Sequence, residues 1–168
     1  MKALILSTLL AGPLLCSAQA RDVGPAVMLT QAAASSGTAF DTTVDERTSI
    51  EEVLTTYTDA VSSKNQSKFE SILLSKNIPF SYVPAGAAGA GLVDTANYEK
   101  FRRSVFEGAP FTQRFTDAHI LVDGNLASVT LVFTNSHASG ASSGWKTMHL
   151  LKTPQGWKIA SEFYTSQR

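Results

Sequence analysis

The sequence contains one cysteine, Cys16, and this residue lies in an apolar N-terminal segment. Lys2 provides a positive charge, residues 3–15 are apolar, and residues 18–20 form a small-residue cleavage motif, which together are typical of a secretory signal peptide. We predict cleavage after Ala20, because the apolar run is too short to favour the alternative, an uncleaved anchor. The remaining chain has no cysteine, so it is predicted to be exported without disulfides or thiol chemistry.

An excess of charge of either sign is also absent, since 14 basic residues balance 14 acidic ones. This balance lacks the electrostatic signature of a nucleic-acid-binding protein. The three histidines have no spacing typical of a metal site, and no glycine-rich motif indicates a nucleotide. We therefore expect a secreted or periplasmic protein that has no cofactor and no metal, and that does not attach to a membrane after signal cleavage.

Hydrophobic periodicity after residue 48 predicts the element order α-α-β-α-β-β-β-β. Ser49 and Glu52 fit a capping box that begins a helix with an apolar stripe. The predicted helices cover residues 49–63, 67–74 and 98–107, and the predicted strands cover residues 78–83, 111–122, 126–136, 144–153 and 156–165. We assign residues 1–20 to a signal peptide, 21–47 to a mobile leader and 48–168 to one α+β domain.

Two glycine-bounded motifs lie in the C-terminal strand region. Residues 140–144 spell G-x-S-x-G, but they are predicted to be part of a hairpin loop over residues 138–144, so they do not fit a nucleophile elbow. Trp145 and Trp157 each follow a glycine at a predicted strand start. We expect both indole rings to fill the core at the end of the sheet.

The element order and the closing hairpin KTPQGWKIAS resemble the nuclear transport factor 2-like superfamily, which includes SnoaL-like cyclases and ketosteroid isomerase. IEEVLTTYTDAVSSKN resembles the first helix of that superfamily, and VDGNLASVTLVFT resembles its central strand pair. The resemblance, which extends to small secreted bacterial members, implies a cone of three N-terminal helices packed in a curved, mostly antiparallel sheet. It also implies a cavity at the open end of the cone.

Comparison with ketosteroid isomerase implies which residues line that cavity. Tyr57 resembles the oxyanion-hole tyrosine of the isomerase, whereas Met148 stands where the isomerase has a proton-donating aspartate. The catalytic base of the isomerase falls on Tyr82 or Val83, and neither is a base at neutral pH. The implied lining residues are Tyr57, Tyr82, Leu131, Phe133, Asn135, Met148, Ser161 and Phe163. No complete catalytic constellation is present among them.

Strand alternation then predicts which side chains face outward. If Met148 faces the cavity, His149 faces the convex side of the sheet, where members of the superfamily commonly form a homodimer. By the same alternation Glu162 is expected to be exposed, or paired with Lys152 or Lys158. These expectations define an exported domain that binds a small hydrophobic molecule in an apolar cavity. The alternatives are a SnoaL-like isomerase, cyclase or dehydratase, and a dimerising interaction module with a filled cavity.

Overall fold

The computed structural model describes residues 42–84 and 97–166 of the 168-residue chain. The predicted signal peptide and most of the predicted leader lie outside the described residues. The helices are α1 (Val44–Ser62), α2 (Gln66–Glu70) and α3 (Tyr98–Arg102), and α3 continues as a π-helical turn over Arg103–Glu107. The strands are β1 (Phe80–Pro84), β2 (Thr112–Asp123), β3 (Leu126–His137), β4 (Gly140–Thr153) and β5 (Gly156–Ser166).

Helix α1 begins at Val44, so the predicted start at Ser49 was wrong. Its capping box is formed by Thr43 and Glu46: the backbone N–H of Glu46 donates to the Thr43 hydroxyl at 3.2 Å, and the Thr43 N–H donates to the Glu46 carboxylate. Thr43 and Glu46 have the same spacing as Ser49 and Glu52, and the helix is capped by this earlier pair. The predicted apolar stripe is buried: Ile50, Val53, Leu54, Tyr57 and Val61.

The five strands form one sheet in the order β1-β5-β4-β3-β2. Strands β2 to β5 are joined as antiparallel hairpins, whereas β1 pairs with β5 in parallel. The predicted α+β architecture with a mostly antiparallel sheet is therefore confirmed. The apolar faces of α1, α2 and α3 contribute to the same buried core as the inner face of the sheet.

Strand β4 begins earlier than predicted because the connection from β3 is a two-residue turn at positions 138–139. His137 pairs with Gly140, and Thr134 pairs with Ser143, so the expected loop over residues 138–144 is wrong. Pairing with β3 thus overrides the weak strand propensity of small polar residues. The G-x-S-x-G string lies within a strand and has no elbow geometry.

A β-bulge between β4 and β5 reverses the predicted alternation of the last strand. His149 pairs with Ser161 while Leu150 pairs with Ile159, so Ala160 is the extra residue. One inserted residue exchanges the two faces of every position that follows it. Glu162 is consequently fully buried, and Phe163 is 42 % exposed, which is the opposite of the prediction for both side chains.

The close approach of β4 to its neighbours requires a glycine at position 144. A Cβ at this position would lie 1.9 Å from the backbone oxygen of Thr165 and 2.8 Å from the ring of Phe133. Phe133 can therefore pack directly over the backbone of β4. Trp157 is buried as predicted, whereas Trp145, next to Gly144, is 50 % exposed, so the prediction that it fills the core was wrong.

A candidate functional site built on a buried lysine

Three polar side chains meet in the core beneath the sheet. Lys146 is 2 % exposed, and Glu162 and Tyr57 are fully buried. The Nζ of Lys146 lies 2.7 Å from Oε1 of Glu162 and donates to the Tyr57 hydroxyl at 2.6 Å. The same hydroxyl donates to Oε1 of Glu162 at 3.1 Å, so the three groups close a hydrogen-bonded triangle.

Each member of this triangle is placed by the local geometry of its own element. Lys146 shares the inward face of β4 with Met148 and Leu150, two and four residues further on. Glu162 turns inward because of the bulge at Ala160. Tyr57 belongs to the apolar stripe of α1. Sequence reasoning missed Lys146, although Met148 was predicted to face inward and a residue two positions away shares its face.

Burial dominates the electrostatics of the triangle. It lowers the pKa of Lys146 below its ordinary value of 10.5, and the attraction of Glu162 opposes this shift only in part. Burial, followed by the negative charge of Glu162, raises the pKa of Tyr57 well above its ordinary value of 10.0. The phenol therefore remains a hydrogen-bond donor at neutral pH.

Aromatic rings enclose the ammonium group on several sides. Its Nζ lies 4.3 Å from the ring centroid of Tyr57 and 5.4 Å from those of Phe115, Phe133 and Tyr164. These distances are within the range of cation–π attraction, which stabilises a positive charge at this point.

The triangle leaves part of its hydrogen-bonding capacity unused. A lysine ammonium has three N–H donors, and two of them serve Glu162 and Tyr57. Oε1 of Glu162 takes part in both of its contacts, and Oε2 is buried with no hydrogen-bond partner among the described residues. Within the part of the chain that the structure describes, one N–H of Lys146 and one carboxylate oxygen of Glu162 thus have no partner.

A cavity of about 260 Å³ adjoins the triangle. Lys146 forms part of its wall, together with aromatic, aliphatic and small polar side chains. The other lining residues are Phe101, Ser104, Val105, Ala109, Phe111, Gln113, Phe133, Asn135, His137, Ser142 and Tyr164. The Gln113 amide nitrogen donates to Oδ1 of Asn135 at 2.7 Å, which gives the otherwise aromatic wall a polar patch.

The rim of the cavity is held by a second lysine. The Nζ of Lys64 donates to the backbone oxygens of Val105, Gly108 at 3.2 Å and Ala109 at 2.9 Å. The Val105 carbonyl lies in the last residues of the π-helical turn and those of Gly108 and Ala109 follow it, and a cation at a helix C-terminus is favourable. Two of these three rim residues also line the cavity, so Lys64 positions one wall of the site.

The predicted site residues divide into three groups. Phe133 and Asn135 line the cavity. Tyr57, Leu131 and Met148 are buried in the core and are not among the lining residues, and of these Tyr57 contacts Lys146 directly.

The other three predicted residues come from β1 and β5. Tyr82 is half-buried, with its ring 5.3 Å from that of the lining residue Tyr164. Ser161 and Phe163 lie on the opposite face of the sheet: Ser161 bonds to Nδ1 of the exposed His149 at 2.9 Å, and Phe163 is exposed. The bulge that turns Glu162 inward is the reason that these two do not line the cavity.

Within residues 42–84 and 97–166, no group of three histidine, cysteine or acidic side chains is arranged to hold a metal ion. In the same part of the chain, no helix is long and apolar enough to cross a membrane.

Comparison with known proteins gives one family match. The SnoaL-like domain family matches residues 50–164, which include α1 from Ile50 onward, all five strands except the last residues of β5, and every member of the triangle. No curated protein matches the chain.

Solved structures with the same fold have low sequence identity. A nuclear transport factor 2-like protein of unknown function from Shewanella baltica is 18 % identical, with a TM-score of 0.59 over 76 % of this chain and 98 % of that one. A cystatin-like-fold protein of unknown function from Nostoc punctiforme is 10 % identical, with a TM-score of 0.58 over 76 % and 95 %. A nuclear transport factor 2-like protein from Novosphingobium aromaticivorans is 14 % identical, with a TM-score of 0.55 over 72 % and 81 %. These structures share the fold, and their identities are too low to carry a function across.

Proposed function

Because this chain belongs to the SnoaL-like domain family, we propose that it binds a small, largely hydrophobic molecule in the cavity beside Lys146. The observation that carries the proposal is the composition of the wall, in which aromatic rings surround a few polar groups. Small-molecule sites commonly combine apolar burial with a small number of fixed polar contacts. The third N–H of Lys146, which has no partner among residues 42–84 and 97–166, and the Gln113–Asn135 amides provide those contacts.

Binding is tested by titrating the full mature chain with naphthalene derivatives and following amide shifts by nuclear magnetic resonance. Ser104→Trp places a large ring at the cavity wall and is expected to abolish binding. Ser67→Trp, at an exposed position on α2 away from the cavity, is the matched control and is expected to leave binding unchanged. Equal binding by the two variants would place the ligand elsewhere and contradict the proposal.

The second candidate is an enzyme of the isomerase, cyclase or dehydratase type. It is favoured by one specific observation, an ionisable side chain with a perturbed pKa at the cavity wall. Lys146, with Glu162 within 2.7 Å, has the means to exchange a proton with a bound substrate. The test is turnover of a simple β,γ-unsaturated ketone by wild type and by Lys146→Met. Turnover by wild type that is lost in Lys146→Met, under conditions where the variant is still folded, would establish the enzyme, and no turnover by wild type leaves the binding function as the better account.

Export is a separate part of the proposal, supported by the signal-peptide pattern of residues 1–20. A secreted or periplasmic product should begin at Arg21, which N-terminal sequencing of the exported protein measures. Retention of Met1 in that product would contradict it.

We also propose a homodimer formed through the convex face of the sheet. Trp145 and Phe163 are both exposed on this face. They are diagonal neighbours on β4 and β5, since Lys146 pairs with Tyr164. Exposed aromatic pairs are typical of protein interfaces. Sedimentation of Trp145→Ser/Phe163→Ser should show a monomer, whereas Val44→Ser, an exposed apolar position at the start of α1 and outside the sheet, should sediment like wild type. The open cavity makes a pure interaction module with a filled interior the less favoured alternative.

A further inference from the structure

We propose that Lys146 forms an imine with a small, neutral aromatic aldehyde or ketone held in the cavity, an inference that rests on the proposed binding function. Three features of the structure support it: Lys146 is one of the residues that line the cavity, its Nζ has a proton acceptor beside it, and the surrounding rings stabilise a cation on the same nitrogen.

The contacts of Lys146 set up the nucleophile. An ammonium must lose a proton before its nitrogen can attack a carbonyl carbon. Oε1 of Glu162 lies 2.7 Å from Nζ and can take that proton. Burial, which lowers the pKa of Lys146, favours the transfer.

The reaction balances within the site and needs no oxidant or metal. The Nζ of the neutral amine forms a bond to the carbonyl carbon, and the carbonyl oxygen takes up a proton. Loss of that oxygen as water breaks the C–O bond and leaves a C=N bond. In sum, the ammonium form of Lys146 and the carbonyl compound give a protonated imine and one water molecule. Glu162 begins and ends the sequence as a carboxylate.

The product keeps the positive charge on the nitrogen, so the site need not rearrange. The ion pair with Glu162 is preserved, and the rings of Tyr57, Phe133 and Tyr164 continue to face a cation. Enclosure by these rings also limits access of water, which would hydrolyse the imine.

The same surroundings select the class of ligand. Phe101, Phe111 and Phe133 in the wall favour a planar aromatic group. The ligand is expected to be neutral, because Glu162 already balances the charge of Lys146 and would repel a carboxylate beside it.

The experiment traps the imine by reduction. The full mature protein is incubated with naphthaldehyde and cyanoborohydride, and labelled lysines are identified by peptide mass mapping. We expect Lys146 to be labelled about tenfold or more faster than the exposed Lys68. This factor is small compared with the rate increase that reactants gain when they are bound in the correct orientation. Lys146→Arg keeps the charge but cannot form the adduct, so labelling in that variant should fall to the level of the exposed lysines.

Vinylnaphthalene has the same shape as the aldehyde but no carbonyl, and it separates binding from reaction. It should bind in the cavity and suppress labelling of Lys146, but not of Lys68. If it binds and Lys146 is nevertheless not labelled faster than Lys68, the imine inference is overturned while the binding function stands. If neither compound binds, both fail. Labelling of Lys146 that vinylnaphthalene does not suppress also overturns the inference, because the reaction would then not depend on the cavity.

The role of Glu162 is tested by Glu162→Gln, which should slow labelling of Lys146 about tenfold or more because the proton acceptor is lost. Should that variant fail to fold, Tyr57→Phe removes one contact to Nζ without removing a charge and should retain fast labelling. Fast labelling in Glu162→Gln, or loss of it in a folded Tyr57→Phe, would contradict the assignment of Glu162 as the acceptor.

Discussion

Replacing Lys146 with methionine removes one partner of a buried ion pair, and comparison with a variant that lacks both partners shows how much of the lost stability comes from the unpaired charge of Glu162. The variant leaves Glu162 fully buried, with the Tyr57 hydroxyl bonded to Oε1 and no described residue bonded to Oε2. Removing one partner of a buried pair typically costs about 3–5 kcal/mol. This is a large share of a total stability of about 5–15 kcal/mol, so Lys146→Met should unfold at a much lower urea concentration.

Removing both charges should restore most of that loss. Apolar replacement of a whole buried pair is often neutral or stabilising by about 1–4 kcal/mol. In Lys146→Met/Glu162→Met, however, the Tyr57 hydroxyl loses both of its partners. A buried hydroxyl without a partner costs about 1–3 kcal/mol, so the triple variant with Tyr57→Phe should be more stable than the double.

The assay is urea unfolding of the full mature chain, with the slope m checked for each variant. Lys68→Met is the control, because Lys68 is exposed and lies 3.4 Å from Asp59, a pair worth about 1 kcal/mol or less. The reasoning is refuted if Lys146→Met loses no more stability than this control. It is also refuted if the double variant is as unstable as Lys146→Met, because the two charges would then not be coupled.

Three further outcomes are expected. Gly144→Ala should destabilise the fold by about 1–3 kcal/mol in urea unfolding, because its Cβ would overlap the neighbouring backbone and the Phe133 ring, and a wild-type midpoint would contradict the packing. Lys64→Met should weaken binding of naphthalene probes in the same titration, since the rim carbonyls lose their shared donor; unchanged affinity would show that Lys64 does not position the rim. The free energy of unfolding should fall as pH rises above about 10. Buried phenols with a raised pKa stay protonated in the folded protein, whereas the same phenols in the unfolded chain ionise above their ordinary pKa, and this ionisation stabilises the unfolded chain. The lowered pKa of the buried Lys146 has the opposite effect on stability at pH values below its unfolded pKa of 10.5, but this is one group, whereas three phenols favour the loss of stability. The absorbance of tyrosinate during a pH titration measures the pH at which the phenols ionise. The phenols concerned are Tyr57, Tyr98 and Tyr164. Early ionisation of all three without unfolding would contradict this.

Local pattern in the sequence determined the fold class and most of the elements. The apolar stripe of α1 and the glycine-bounded strands β3, β4 and β5 have periods that belong to the chain itself, and any fold that buries them must respect those periods. The inward positions of Phe133 and Met148 follow from the same alternation. Boundaries were less certain, because the sequence has two capping motifs near the start of α1, and only the packed helix shows that Thr43 is the cap and that Ser49 lies inside the helix.

The candidate site depended on the tertiary structure. The bulge at Ala160 arises from the fit of β5 against β4, and that one residue decides whether Glu162 or Phe163 faces the core. An alternation rule applied along the uninterrupted strand puts the wrong side chain inside. Tyr57, Lys146 and Glu162 come from distant parts of the sequence, and their pairing exists only once α1 packs beneath the sheet. A buried charge is tolerated only with its partner, so neither charged residue could be recognised as part of a site until the fold had brought the other to it.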